Sequence, residues 1–370
     1  MKIKDLCSYA PKSRIKAGEA VENAKYLFFT SSADENKRYT DFQFDKEAII
    51  MGTGGNATLH YYNGKFSVST DCLVLFPNSK IKCKYLYYFF KSHMSVLEAG
   101  FKGAGLKHTN KKYIEEINVS KVPDLTTQEK IVSHLDTITE NIEKLNRELE
   151  LFDSLTKARF IEMFGDPYTN PLKWEKLKIK DAVTVEPQNG LYKPQSDYVT
   201  DRSGIPILRI DGFYDGIVTD FASLKRLKCS ETEKQKYLLL EDDIVINRVN
   251  SIEYLGKCAH IKGLLEDTVY ESNMMRMHFD PETYNSVYIC KLLCSQFIYD
   301  QIVNHAKKAV NQASINQKDV LDFNIYQPPI DLQNQFADFI QQVDKSREEV
   351  KKSLEKTQQL YDSLMQEYFG

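Results

Sequence analysis

The chain has a single tryptophan, no Cys-x-x-C pair, no His-x-x-x-H spacing and no apolar run approaching the ~20 residues that a membrane helix requires. Each absence removes a class of protein. The seven cysteines (Cys7, Cys72, Cys83, Cys229, Cys258, Cys290 and Cys294) are an odd set in a chain large enough to fold without staples, so they read as reduced core thiols. Cys290 and Cys294 stand at helical i, i+4 spacing, but no neighbouring His or carboxylate completes a closed metal site, and no metal is expected. Gly52-Thr53-Gly54-Gly55-Asn56 lacks the Gly-Lys-Ser/Thr of a nucleotide cradle. Asn170-Pro171-Leu172 lacks the aromatic residue that would stack on a flipped base. No Ser/His/acid spacing stands out, and a non-catalytic protein is expected. Met1–Ala10 mixes Lys and Asp and has no secretory apolar core, so a cytoplasmic location is expected.

There is also little net charge. The sum is -3, but its distribution is uneven: residues 1–122 carry 19 Lys+Arg against 12 Asp+Glu, or +7, which leaves -10 for the rest. Residues 174–327 balance 19 against 22, so a basic face there must be local. Hydrophobic residues make up 42%, with 22 Tyr and 20 Phe, enough for substantial cores in a 370-residue chain of more than one domain.

The most informative feature is an internal repeat. Pro123, Leu125, Gln128, Ile131, Leu135, Ile138, Leu149, Leu155, Glu162, Phe164 and Gly165 recur without a gap, 205 residues later, as Pro328, Ile330, Gln333, Phe336, Ile340, Val343, Leu354, Leu360, Glu367, Phe369 and Gly370. Lys2-Ile3-Lys4-Asp5 recurs as Lys178-Ile179-Lys180-Asp181. The order is therefore module, connector, module, connector, with boundaries at 1–122, 123–166, 167–327 and 328–370. In the first connector Ile131, Leu135, Ile138, Ile142, Leu145, Leu149 and Phe152 alternate steps of four and three, the seam of a coiled coil. The second keeps Phe336, Ile340, Val343, Val350 and Leu354 in phase but places Arg347 and Thr357 on the seam, where they weaken pairing or fix its register. Thr126 or Thr127 is the expected N-cap of the first helix, and Gly165-Asp166-Pro167 its end. About 37 helical residues span about 55 Å, the length of a spacer.

The modules read as mixed α and β. The first has strand-like runs at Tyr26–Thr30, Ala48–Gly52 and Phe66–Phe76, a helix at Tyr85–Phe90 and a last strand at Ile117–Val119. The second has strands at Ile205–Ile210, Asp243–Ile246 and Lys257–Ile261, one helix from Val287 to His305 and a last strand at Phe323–Tyr326. The fold class expected is α+β: two recognition domains separated by two long antiparallel coiled-coil helices, related by a pseudo-two-fold repeat.

A helical region opened by Pro-x-x-x-x-Gln and closed by Glu-x-Phe-Gly, occurring twice, with a second module opening near Trp174, resembles the specificity subunit of Type I restriction-modification systems. Within the second module Ile205-Pro206-Ile207-Leu208-Arg209, Asp242–Arg248 and Ile315-Asn316 ahead of Phe323–Pro328 carry the likeness further. The first module has no counterpart of Trp174. The resemblance implies a subunit that reads an asymmetric, two-part target in double-stranded DNA. It also implies two DNA methyltransferase partners that bring S-adenosylmethionine, ATP-dependent restriction subunits that use ATP and magnesium, and a role in phage defence, with no cofactor held by this chain and no membrane. The alternatives are a methyltransferase or nuclease fused to DNA-reading modules, and a coiled-coil scaffold that binds no DNA.

Lys and Arg hold phosphates, while Arg, Asn, Gln and Ser reach base edges. On that chemistry Lys102, Lys107, His108, Thr109 and Asn110 of the first module match Lys307, Lys308, Asn311, Gln312 and Ser314 of the second, both groups following a helix. Arg209, Arg248, Asn250 and Ser251 lie at strand ends of the second module. Gly54, Gly55 and Asn56 form either a plain turn between strands or a loop whose N–H groups approach DNA phosphate.

Overall fold

The computed structural model describes residues 1–218, 220–310 and 312–370. The chain forms two compact units, Met1–Glu148 with Val350–Gly370, and Leu149–Glu349. Each long helix, Leu125–Phe164 and Ile330–Phe369, therefore begins in one unit and ends in the other.

The first unit is built on a six-stranded sheet in the order Cys7–Tyr9, Cys72–Pro77, Phe44–Gly52, Leu59–Val68, Tyr26–Phe29 and Arg38–Tyr39. All neighbours are antiparallel except Leu59–Val68 with Tyr26–Phe29. The second unit repeats this order and these directions with Val183–Asn189, Met274–Phe279, Ile244–Asn247, Cys258–His260, Gly216–Val218 and Phe213–Tyr214, again parallel at one junction. The outer hairpin differs. Its parallel strand comes first in the first unit and second in the second unit. A four-stranded sheet of Val269–Tyr270, Ile205–Leu208, Arg226–Leu227 and Tyr198–Val199 is added in the second unit, which accounts for its longer module.

At the second unit's central strand, Asp243 is fully buried. Its carboxylate accepts from Leu240 N–H (2.7 Å), Arg276 Nη1 (3.2 Å) and His278 Nδ1 (3.0 Å). Burial pushes its pKa up, and these donors oppose the rise.

The connector motifs have a common physical explanation. Gln128 and Gln333 are both completely buried. Gln128 Oε1 accepts from Lys82 N–H (2.8 Å), and its Nε2 donates to the carbonyls of Pro123 (2.7 Å) and Lys80 (3.3 Å). Gln333 Oε1 accepts from Asn285 N–H (2.9 Å), and its Nε2 donates to the carbonyls of Pro328 (2.8 Å) and Thr283 (3.0 Å). Lys82 and Asn285 are the residues before the helices Cys83–Ser92 and Ser286–Leu293. One side chain thus satisfies an orphan donor at a module helix and fixes the start of the connector helix.

Glu-x-Phe-Gly works at the opposite end. Phe164 lies 4.6 Å from the Tyr288 ring and 5.4 Å from Phe336, while Phe369 lies 5.2 Å from Tyr85. Tyr85 and Tyr288 hold equivalent places, each donating its hydroxyl to a backbone carbonyl, of Lys121 (3.3 Å) and Tyr326 (3.1 Å). The start of each long helix meets the end of the other. Ile131, Leu135, Ile138 and Ile142 pack with Tyr361, Leu364, Met365 and Phe369 in the first unit, and Phe160, Met163 and Phe164 pack with Phe336, Phe339 and Ile340 in the second. The helices are therefore antiparallel. Leu145 and Val343 are buried, and Leu149, Phe152, Val350 and Leu354 half-buried.

Arg347 bonds Asp153 (2.7 Å) and lies over the Phe152 ring (5.8 Å). Arg347→Leu should hold or raise stability in urea unfolding, whereas Asp153→Ala should cost up to about 1 kcal/mol by leaving the cation unpaired. A larger loss for Arg347→Leu would show that the ion pair holds the seam together.

Five local expectations need correction. The run Phe66–Phe76 is not one strand but the end of Leu59–Val68 and most of Cys72–Pro77, with residues 69–71 between them. The N-cap of the first long helix is Asp124, which accepts from Thr127 N–H (3.0 Å), rather than Thr126 or Thr127. The expected helix Val287–His305 is two, Ser286–Leu293 and Gln296–His305, because Ser295 is extended (φ -79, ψ 159). The first module breaks similarly at His93. Ile117–Val119 makes only an isolated bridge, from Asn118 to Lys2. In the second module the longer run Glu175–Lys178 pairs fully with Asn324–Gln327. Cys294, finally, is exposed and Cys229 half-buried, unlike the buried thiols Cys7, Cys72, Cys83, Cys258 and Cys290.

Candidate nucleic-acid interface

The turn after strand Phe44–Gly52 and the polar stretch after the module helices were separate candidates in sequence. In the first unit they are zipped together. Thr109 N–H donates to Thr53 O (3.0 Å) and Gly55 N–H to Lys107 O (2.9 Å), while Lys102 and His108 exchange both backbone hydrogen bonds at 3.0 Å. Gly54 bridges His108, whose ring would lie 3.1 Å from any added Cβ, and Gly55 sits at φ +85. The close contact explains Gly54, and the left-handed backbone explains Gly55. The Gly55 N–H is taken up by a hydrogen bond within the unit. Lys102, Lys107, His108 and Asn56 are exposed around this ribbon. Asn110 is also exposed, but its side chain caps the helix Lys111–Glu116 by accepting from Tyr113 N–H (3.0 Å).

The second unit assembles the equivalent ribbon from the equivalent places. Val249–Asn250 pairs with Ala313–Ser314, which pairs with Lys307–Lys308. Arg248 is tied in by Ile315 N–H to its carbonyl (3.0 Å), by its own N–H to Asn273 O (2.8 Å) and by Nη1 to Ser272 O (3.2 Å). A hydrogen bond from Ala309 N–H to Gln312 O (2.7 Å) closes the tip, and Ser251 N–H is held by Asn250 Oδ1 (2.8 Å). Lys307, Lys308 and Gln312 are exposed, Arg248, Asn250, Ser251 and Ser314 half-buried, and Asn311 lies outside the described residues. Asn316 caps the next helix as Asn110 does.

Arg209 does not join the ribbon. Its guanidinium pairs with Asp211 (3.6 Å) and Glu271 (3.9 Å) and bonds the Tyr198 hydroxyl (3.2 Å). Glu271 is itself buried, which raises its pKa, while Ile210 N–H (2.7 Å) and Arg209 stabilise its charge. Asn170 is likewise engaged elsewhere, bonding both N–H and carbonyl of Trp174 at 2.9 Å.

Residues 99–113 carry Lys102, Lys107, Lys111 and Lys112 without a carboxylate, and residues 301–318 carry Lys307, Lys308 and Lys318 without one. Both stretches also contain a residue that reasoning from polar chemistry passed over. Leu106 is 70% exposed and Val310 is 99% exposed, each at its ribbon's tip. Nothing in the sequence marks either residue until its exposure is known.

The profile of the Type I restriction modification DNA specificity domain matches residues 1–151 and 171–359, one match over each module and its following helix. The chain belongs to that family. It is 22% identical to the EcoKI specificity subunit of Escherichia coli K12, over 98% of this chain and 77% of that one. It is 30% identical to a putative MjaX specificity subunit of Methanocaldococcus jannaschii, over 54% of this chain and 46% of the relative. In fold it resembles the crystal structure of the S subunit from M. genitalium, with a TM-score of 0.65 at 15% identity, covering 100% of this chain and 95% of that one. The chain is thus a non-catalytic DNA-specificity subunit, and the fused-enzyme and scaffold readings are set aside. Among the described residues no cluster of His, Cys, Asp and Glu is placed to hold a metal, and no helix is long and apolar enough to cross a membrane.

Proposed function

We propose that the two ribbons are the DNA-reading elements of the subunit, one for each half of a split and asymmetric target. The observation that carries this reading is their equivalence: each unit builds a basic, carboxylate-free ribbon at the same end of the same sheet. Lysines at the rims hold phosphates, and side chains between them meet base edges. Because the ribbons differ in sequence, the half-sites differ. The long helices set their separation and dock two methyltransferase subunits that bring S-adenosylmethionine. ATP-dependent restriction subunits, with ATP and magnesium, join this cytoplasmic complex. Support for assembly comes from a similar structure described as the basis of complex assembly in the type I R-M system, with a TM-score of 0.56 at 14% identity.

The lone chain should transfer no methyl group from S-adenosylmethionine to any duplex. Co-expressed with the methyltransferase of its own system, it should direct adenine methylation to one split sequence, read by mapping modified bases. Methylation by the isolated chain, or modification at a continuous site, contradicts the proposal.

A further inference from the structure

Leu106 and Val310 each stand in the loop that closes one of the two ribbons, and packing within the chain accounts for neither. Both are more exposed than any other large aliphatic residue except Leu265, which matches the exposure of Leu106. Each stands at the tip of a ribbon flanked by lysines. Lys102 and Lys107 bracket the first tip, where Lys102 and His108 close the loop, and Lys307 and Lys308 precede the second, which Ala309 and Gln312 close. An exposed aliphatic side chain costs free energy in water, and in both units it recurs within a stretch that attracts a polyanion and has no carboxylate to oppose it.

Building on the DNA reading proposed above, we infer that Leu106 and Val310 are specificity residues that contact the 5-methyl group of a thymine, one in each half-site. The shape of the ribbons favours the major groove, whose ~12 Å width admits a two-stranded β-ribbon, over the ~6 Å minor groove. In the major groove an apolar side chain distinguishes bases in one way: it gains by covering the thymine methyl, which the other bases lack. The lysines place the tip by holding phosphates on either side of the groove. Val310 is shorter than Leu106 and the two reach to different depths, so the two half-sites need not carry thymine at the same position.

The full chain would first be used to select its target from a pool of random duplexes. Each thymine of that target would then be replaced in turn by deoxyuridine, which removes the methyl and nothing else. One replacement in one half-site should weaken binding roughly four-fold, the value of one buried methyl, and should have no effect on Leu106→Ala. One replacement in the other half-site should behave in the same way with Val310→Ala. Both substitutions remove solvent-exposed atoms, so thermal unfolding should not change, and a loss of binding cannot be ascribed to misfolding. If no deoxyuridine effect disappears in either variant, the inference is wrong. It is also wrong if Leu106→Ala weakens binding equally with thymine and uracil while reducing DNA bending, because that outcome is a minor-groove wedge. A parent chain that selects no target overturns the DNA reading itself, and this inference with it.

Discussion

Gln333→Ala should destabilise the second unit by about 3 kcal/mol. The side chain is fully buried and makes three hydrogen bonds, to Asn285 N–H, Thr283 O and Pro328 O. Its removal strands one donor and two acceptors away from water, at roughly 1–3 kcal/mol for each group that finds no substitute, and opens a cavity beside the helix start. Gln128→Ala removes the equivalent bonds in the first unit and should cost a similar amount there. Trp174, the only tryptophan, separates the two cases because it lies in the second unit and donates its indole N–H to Phe164 O (2.9 Å). In urea its fluorescence should report earlier unfolding for Gln333→Ala and an unchanged midpoint for Gln128→Ala, whose loss should appear in circular dichroism. A shift below about 0.5 kcal/mol in both variants would mean that water replaces the glutamine. Equal shifts of the tryptophan signal would mean that the units unfold as one.

The large-scale order of this fold was legible because it is written twice. A gapless match at constant offset exposes the connectors, and steps of four and three identify the helices. The purpose of the repeated glutamine was not legible, because its partners lie far upstream: Lys82 is 46 residues before Gln128, and Asn285 is 48 before Gln333. Nor was the seam beyond Leu354, where Tyr361, Leu364 and Met365 continue it against the start of the other helix. Sheet order was hidden for a different reason. Strands of two or three residues such as Cys7–Tyr9 and Arg38–Tyr39 carry almost no periodicity, and the parallel pair joins segments distant in sequence.

At the candidate interface, residue chemistry singled out the segments that form the two ribbons, but not the work of every side chain within them. Gly54 and Gly55 allow one loop to lie against another, Asn110 caps a helix, and Arg209 serves an internal carboxylate, each a role set by a neighbour that sequence does not place. Reasoning from polar groups also passed over Leu106 and Val310, because an aliphatic residue in a basic stretch gives no signal until its exposure is known.

Independent reading by two modules is the central claim, and exchanging one module tests it most directly. Residues 167–327 would be replaced by the corresponding module of a relative, with both long helices kept. The incoming module must supply a helix start for Gln333 and a tyrosine in place of Tyr288 for Phe164, so that it docks as the original does. The measurement is the consensus that the full chain selects from random duplexes before and after the exchange. The half-site read by the second module should become that of the relative, the other half-site and the spacer should persist, and affinity for the old target should fall by on the order of 10³ or more towards non-specific binding. A change in both half-sites together, or retention of the old target, would contradict the account.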